Sequence, residues 1–254
     1  MDDKDKNSLV QQLQQQLTVD CKCREEKMIR TSNATKIPRI QKINQSVCMM
    51  KLPGDCFGTG FLADIPGKGV AFLSAGHNFS VVGEKKLPDD LDFSQFILHF
   101  GNLDGDLEGR HALKTCSLKD LGRVRGSIGY GGTKRFFPAI TAIAAKSLPH
   151  EDYCFLILKD PEIKKRLNEW GLAYLEVGHG DFLDYDPNGL VQITGHPMND
   201  DITREEGGKY PLRQSIGMEM VNNDEDSTTL LKYDADTLPG NSGSPVIGWL
   251  DYLD

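Results

Sequence analysis

The sequence predicts an all-β protein with enough strands for two small barrels, preceded by a polar, partly helical arm. From about residue 46 onward, short apolar runs are broken by Gly, Pro, Asn and Asp at intervals of about ten residues, the texture of many short antiparallel strands joined by turns. Only one internal stretch, 160–171, reads as a helix. At 254 residues the chain can bury roughly three-quarters of its unfolded surface, so its core requires no metal or disulfide staple.

Taken in order, residues 1–45 form the arm, Gln-rich and charged, with Leu9, Leu13 and Leu17 at helical spacing and Val10 beside them. An amphipathic helix of a few turns, capped near Asn7 or Ser8, fits this pattern. Its apolar repeat is too short for a coiled coil, so the arm is expected to pack on the domain, and it is the place where a protein partner would bind. The candidate strands are 47–52, 57–63, 70–74, 93–100, 112–118, 139–144, 153–158, 173–177, 190–194, 214–221, 228–233 and 245–249. The helix between the halves has Asp160 as its cap, Pro161 at the first position, Ile163 and Leu167 on one face, and Gly171 as its stop. It separates a first barrel of about 46–158 from a second of about 172–254 within one domain of 46–254. The Gly-rich stretch 126–134 misses the phosphate-loop pattern, because Gly132 stands where a lysine is required. With Arg123, Arg125 and Arg135 nearby, it reads as a solvated hairpin.

Charge and composition narrow the function. Lys and Arg number 29 against 37 Asp and Glu, a formal charge of −8, which argues against nucleic acid as a partner because phosphate binding needs a basic footprint. The chain opens Met1-Asp2-Asp3-Lys4 without a basic start and apolar core, so no secretory signal is read. No apolar stretch of about 18 residues predicts a membrane span, and the expected location is the cytoplasm. Cys21, Cys23, Cys48, Cys56, Cys116 and Cys154 are then read as reduced thiols. Asn-x-Ser/Thr triplets at Asn33, Asn44 and Asn78 carry no weight without translocation. Cys21 and Cys23 lack a second cluster, and His99, His111, His179 and His196 show no ligand spacing, so neither a metal nor an organic cofactor is expected.

Chemistry concentrates in Asp236-Thr237-Leu238-Pro239-Gly240-Asn241-Ser242-Gly243-Ser244-Pro245-Val246, a serine between glycines just before an apolar strand. Gly240 leaves the backbone free to turn, so that its N–H and that of Ser242 can face one point where an oxyanion develops; Gly243 keeps space open for substrate. A serine hydroxyl is a weak nucleophile without a base, and the base needs an acid to hold its tautomer. His77 supplies the base: it ends Ala71-Phe72-Leu73-Ser74-Ala75-Gly76-His77, a strand running into two small residues. Asp152, directly ahead of the apolar Tyr153-Cys154-Phe155-Leu156-Ile157-Leu158, is placed as a buried orienting acid should be.

These three segments resemble those of the trypsin/chymotrypsin-like serine peptidases, and their details resemble the V8-like, or glutamyl-endopeptidase, branch. Gly58-Thr59-Gly60-Phe61-Leu62 is similar to the strand ahead of the family histidine, Ser74-Ala75-Gly76-His77 to its Thr-Ala-(Gly/Ala)-His, and Gly195-His196-Pro197 to its Gly-Tyr-Pro turn. Tyr233-Asp234-Ala235-Asp236-Thr237 leads into the serine loop as in V8-like enzymes. The resemblance implies a chymotrypsin-like double β-barrel with its triad in the cleft. Its chain order of His, Asp and Ser is met here at separations of 75 and 90 residues, unlike the orders of subtilisin and the α/β-hydrolases.

Departures qualify the specificity. Asn78 follows the histidine where secreted trypsins carry a bridging cysteine. Only twelve residues follow Ser242, so the second barrel is expected to be C-terminally short and open, with an unpaired edge near Pro245. Asp236 occupies the position that selects Lys or Arg in trypsins, yet the Asp-Thr pair also occurs in V8-like enzymes, so Asp236 is a candidate substrate-binding residue and equally a structural carboxylate. Asn241 stands where a trypsin zymogen switch needs an acid, so no such activation is expected. The expected function is that of a serine endopeptidase acting on polypeptides, with His77, Asp152 and Ser242 catalytic and the Gly240 and Ser242 amides as oxyanion hole. The alternative is a catalytically impaired protease-like module that binds peptides or partner proteins.

Overall fold

Among the described residues two mainly antiparallel sheets form, and a short helix packs where they meet. The computed structural model describes residues 28–30, 38–54, 56–80, 86–137, 152–177, 190–198, 207–220, 232, 233, 235 and 237–248. The expected helix around Leu9, Leu13 and Leu17 and the candidate strand 139–144 lie outside these residues.

The first sheet is built from β2 (Val47–Lys51), β3 (Phe57–Ile65), β4 (Gly69–Ser74), β5 (Ile97–Phe100), β6 (Lys114–Ser117), β7 (Val124–Tyr130), β8 (Thr133–Phe137) and β9 (Tyr153–Leu158), in the order β6-β5-β2-β3-β4-β9-β7-β8. A two-residue strand, β10 (Leu175–Glu176), joins β3 in parallel. Period-2 alternation sends Cys48, Met50, Leu62, Phe72, Leu98 and Leu156 into one core. The second sheet runs β1-β12-β11-β14, from β1 (Met28–Arg30), β11 (Leu190–Gly195), β12 (Arg213–Met220) and β14 (Val246–Gly248), with β13 (Lys232–Tyr233) also paired to β12. Among the described residues neither sheet closes into a barrel.

The largest departure from expectation falls in the arm. Pro38–Ser46 is an α-helix, α1, that runs straight into β2, and β1 pairs with β12, so residues ahead of 46 take part in the second sheet and the core. Ile40 and Ile43, one turn apart, are buried against Val47, Leu212 and Ile216. Val47 belongs to the first sheet and Leu212 and Ile216 lie at the second, so α1 is an apolar wedge between them. Burying each isoleucine contributes about 1.5–3 kcal/mol. The stretch escaped sequence reading because two isoleucines among polar residues are too few to set a helical period.

The 126–134 stretch is a hairpin, as expected, but its arms are sheet strands that were missing from the candidates. β7 pairs with β9 along its length and with β8. Its glycines hid it, since glycine is poor in strands. At Gly126 a Cβ would fall 1.8 Å from the Phe155 carbonyl oxygen, so the close approach of β7 to β9 needs glycine there. Candidates 93–100 and 112–118 each divide into a strand and a 3₁₀ turn, Phe93–Gln95 and Leu118–Leu121. The central helix, α2 (Ile163–Glu169), buries Ile163 and Leu167 as expected. It starts later than expected because Asp160 closes the turn ahead of it, its carboxylate accepting from the Glu162 N–H at 2.9 Å. Among the described residues Cys48, Cys56, Cys116 and Cys154 are free thiols, and no helix is long and apolar enough to cross a membrane.

Candidate active site

His77 sits in a 3₁₀ turn, Gly76–Phe79, that follows β4 after Ala75. Gly76 is required there: a Cβ would lie 1.9 Å from the Gly129 carbonyl oxygen, so the turn presses directly on β7. Asp152, one residue ahead of β9, grips the histidine twice. One carboxylate oxygen accepts the His77 backbone N–H and the other meets the ring Nδ1, both at 2.8 Å. A carboxylate can only accept, so Nδ1 carries the proton and Nε2 is left as the basic nitrogen. Desolvation pushes the Asp152 carboxyl up, but the hydrogen bonds and charge of His77 outweigh it and hold the group below the ordinary carboxylate range. The acid is less buried than expected, its side chain 42% exposed beside a ring at 36%, because it precedes the strand instead of lying within it. The Tyr130 ring lies 5.9 Å from the imidazole, centre to centre.

The serine loop is shaped by two glycines with positive φ, Gly240 at 89° and Gly243 at 88°. The backbone is further constrained by Asn241 N–H donating to the Leu238 carbonyl at 3.1 Å and Ser244 N–H to the Asn241 carbonyl at 2.8 Å. The Pro239 carbonyl accepts from the Met198 N–H. In a trans peptide the C=O and N–H point opposite ways, so the Gly240 N–H faces away from Met198 and the Ser242 N–H away from Ser244. Among the described residues, neither N–H donates to a protein acceptor. Among the described residues the loop thus leaves these two amide donors without a protein partner.

Strand β3 and the histidine turn hold this loop in place. Thr59, fully buried, donates its backbone N–H to the Ser242 carbonyl at 3.0 Å and its hydroxyl to the Gly240 carbonyl at 2.8 Å. The same hydroxyl accepts the His196 N–H at 3.1 Å. Asn78 Nδ2 donates to the Ser242 carbonyl and to Ser74 Oγ, each at 3.0 Å, and Ser74 Oγ donates to the Thr59 carbonyl at 2.7 Å. The fold thus brings His77 and Asp152 into direct contact and ties the Ser242 backbone to the residue that follows His77. Gly240 lies in the same loop. Asp236 lies outside the described residues.

Sequence reading missed Thr59, Ser74 and Asn78 as site residues. Their segments were quoted for their resemblance, yet nothing local signals that the Thr59 and Asn78 side chains bind a loop more than 160 positions away or that the Ser74 hydroxyl links the two. His196 is buried, with Nδ1 donating to the Tyr210 carbonyl at 2.8 Å and the ring pulled by burial down to about 4. Among the described residues no group of three His, Cys, Asp or Glu could hold a metal. A cavity of about 440 Å³ between α1 and the 101–113 segment, lined in part by Asn44, Leu103, Asp104 and His111, contains none of the residues above.

The two mainly antiparallel sheets, one carrying the histidine turn and the other the glycine-flanked serine loop, have the chymotrypsin-like fold. Three solved structures are similar to this chain. A Glu endopeptidase in complex with MPD superposes at a TM-score of 0.53 and 16% identity, covering 89% of this chain and 81% of that one. Deg5 gives a TM-score of 0.44 at 15% identity over 85% of this chain and 79% of its own. An HtrA-type protease with tripeptide gives 0.41 at 13% over 82% and 49%. No protein-family model and no curated protein matches the chain.

Proposed function

We propose that the protein is a serine endopeptidase. The observation that carries this reading is the two-point grip of Asp152 on His77, which leaves Nε2 basic, beside a serine loop whose carbonyl is bonded to Asn78. In this reading Nε2 takes the Ser242 hydroxyl proton as the oxygen attacks the scissile carbonyl. The Gly240 and Ser242 amides receive the oxyanion, each such donor contributing about 3–4 kcal/mol to the transition state. The protonated ring then gives its proton to the leaving amine, and an acyl-enzyme remains. Water, activated by the same nitrogen, releases the acid and restores the serine. Asp152 stays ionised throughout, holding the tautomer and stabilising the imidazolium.

The proposed substrate is polypeptide, and the chemistry is complete with side chains and backbone amides alone. The test is covalent labelling of the full chain by a fluorophosphonate probe, together with digestion of a peptide library. Wild type should label and generate new termini, and Ser242→Ala should do neither. Undiminished labelling of Ser242→Ala removes the nucleophile assignment, and peptide retention without new termini points instead to a binding module.

A further inference from the structure

We propose that Asn78 is the positioning residue that sets Ser242 against the histidine turn, a role whose chemical meaning rests on the endopeptidase reading. Asn78 is 3% exposed and follows His77 directly in the chain. Its amide nitrogen lies 3.0 Å from both the Ser242 carbonyl and Ser74 Oγ. The direction of these bonds is determined by their partners. A carbonyl only accepts, and Ser74 already gives its proton to the Thr59 carbonyl, so both sites need a donor and the two hydrogens of Nδ2 satisfy both.

A residue that merely stabilised its own turn would spend its amide within residues 74–80. Here one of the two hydrogens crosses to a loop 164 positions away. The amide is also tightly held: a Cβ on Gly58 would fall 2.6 Å from its nitrogen and oxygen, so β3 carries glycine where the amide lies. On the far side, a Cβ on Gly243 would fall 2.2 Å from the Thr59 carbonyl oxygen, so the peptide that Asn78 holds has little room to shift. One covalent neighbour and one hydrogen bond then separate the backbone of the proposed base from that of the proposed nucleophile. Their spacing becomes insensitive to small movements of one sheet against the other, and sub-ångström placement is what an attacking serine depends on.

The experiment compares full-length wild type with Asn78→Leu, which has similar bulk but no donor, and Asn78→Asp, which sets a carboxylate against the carbonyl. Three quantities are read on folded protein: hydrogen exchange across residues 238–246, the rate of fluorophosphonate labelling, and kcat and KM on a cleaved peptide. The expected result is exchange at least tenfold faster in that segment, with β4 unchanged, and labelling and kcat lowered 10- to 100-fold at a KM within threefold. Labelling within twofold of wild type in the folded variants overturns the proposal. If wild type itself never labels, the endopeptidase reading falls, and exchange alone decides whether Asn78 holds the loop, unchanged protection overturning it. Should Asn78→Leu not fold, Asn78→Ser, whose hydroxyl can serve only one of the two acceptors, is read by the same criteria.

Discussion

Replacing Thr59 with valine tests the bracket on the serine loop with little change in shape. Valine matches threonine in volume but cannot donate to the Gly240 carbonyl or accept from the His196 N–H, bonds of 2.8 and 3.1 Å. Thr59 is fully buried, so water cannot replace the hydroxyl. Leaving a buried polar group unpaired costs about 1–3 kcal/mol, and two such groups give about 2–6 kcal/mol. For a chain of this size each kcal/mol lowers Tm by about 2–4 °C, so a fall of roughly 4–24 °C is expected. Thr59→Ser keeps the hydroxyl and loses one methyl, costing about 1 kcal/mol. The assay is urea unfolding followed by circular dichroism, with fluorophosphonate labelling measured on the folded fraction of each variant. Labelling should fall in Thr59→Val and stay near wild type in Thr59→Ser. If the two variants unfold within 0.5 kcal/mol of each other, taken as about the scatter of such measurements, the hydroxyl does not hold the loop and the reasoning fails.

Three further outcomes are expected. Asp152→Asn should lower kcat by between about 10² and 10⁴, the upper figure being that of a fully buried triad acid and the lower reflecting partial exposure to water; pre-steady-state kinetics on a chromogenic peptide would measure it. Protonation of His196 should destabilise the fold in acid. Its ring is pulled from 6.5 to about 4, so the stability it contributes is fully present above pH 6.5 and lost as pH falls toward 4, about 3 kcal/mol in all. Urea midpoints at pH 7.5, 5.5 and 4.5 would reveal this, and His196→Gln should flatten that part of the profile. Asp104, held at about 2 against its desolvation by hydrogen bonds from Lys209 and His111, loses its contribution only below about pH 4, in a separate window. Ile43→Ala, at a position 2% exposed between the sheets, should cost about 2–5 kcal/mol by urea unfolding.

Much of the architecture was legible because strands in half-buried sheets write a period-2 pattern into the chain. The candidate strand 153–158 coincides with β9, and 57–63 and 190–194 differ from their strands only at the ends. The glycine-rich β7 and the wedge helix α1 were not legible, for opposite reasons. In β7 the residue that permits close packing is also the residue that weakens the strand signal. In α1 the buried face is only two isoleucines wide, and its burial is set by both sheets together. Asp152 could be named because an acidic residue ahead of an apolar strand is a local feature. Its exposure was misjudged because burial depends on whatever packs over a strand end.

The linear order of residues thus settled the fold class and the segments where a base, an acid and a serine could lie, since each depends on neighbours within a few positions. The bonds that hold the serine loop could not be read that way. The Thr59 hydroxyl meets the Gly240 carbonyl across 181 positions, and Asn78 meets Ser242 across 164. Such pairings follow from the way two twisted sheets pack around one helix, and that packing sums many weak contacts spread through the whole chain, none of which leaves a mark on the residues nearby.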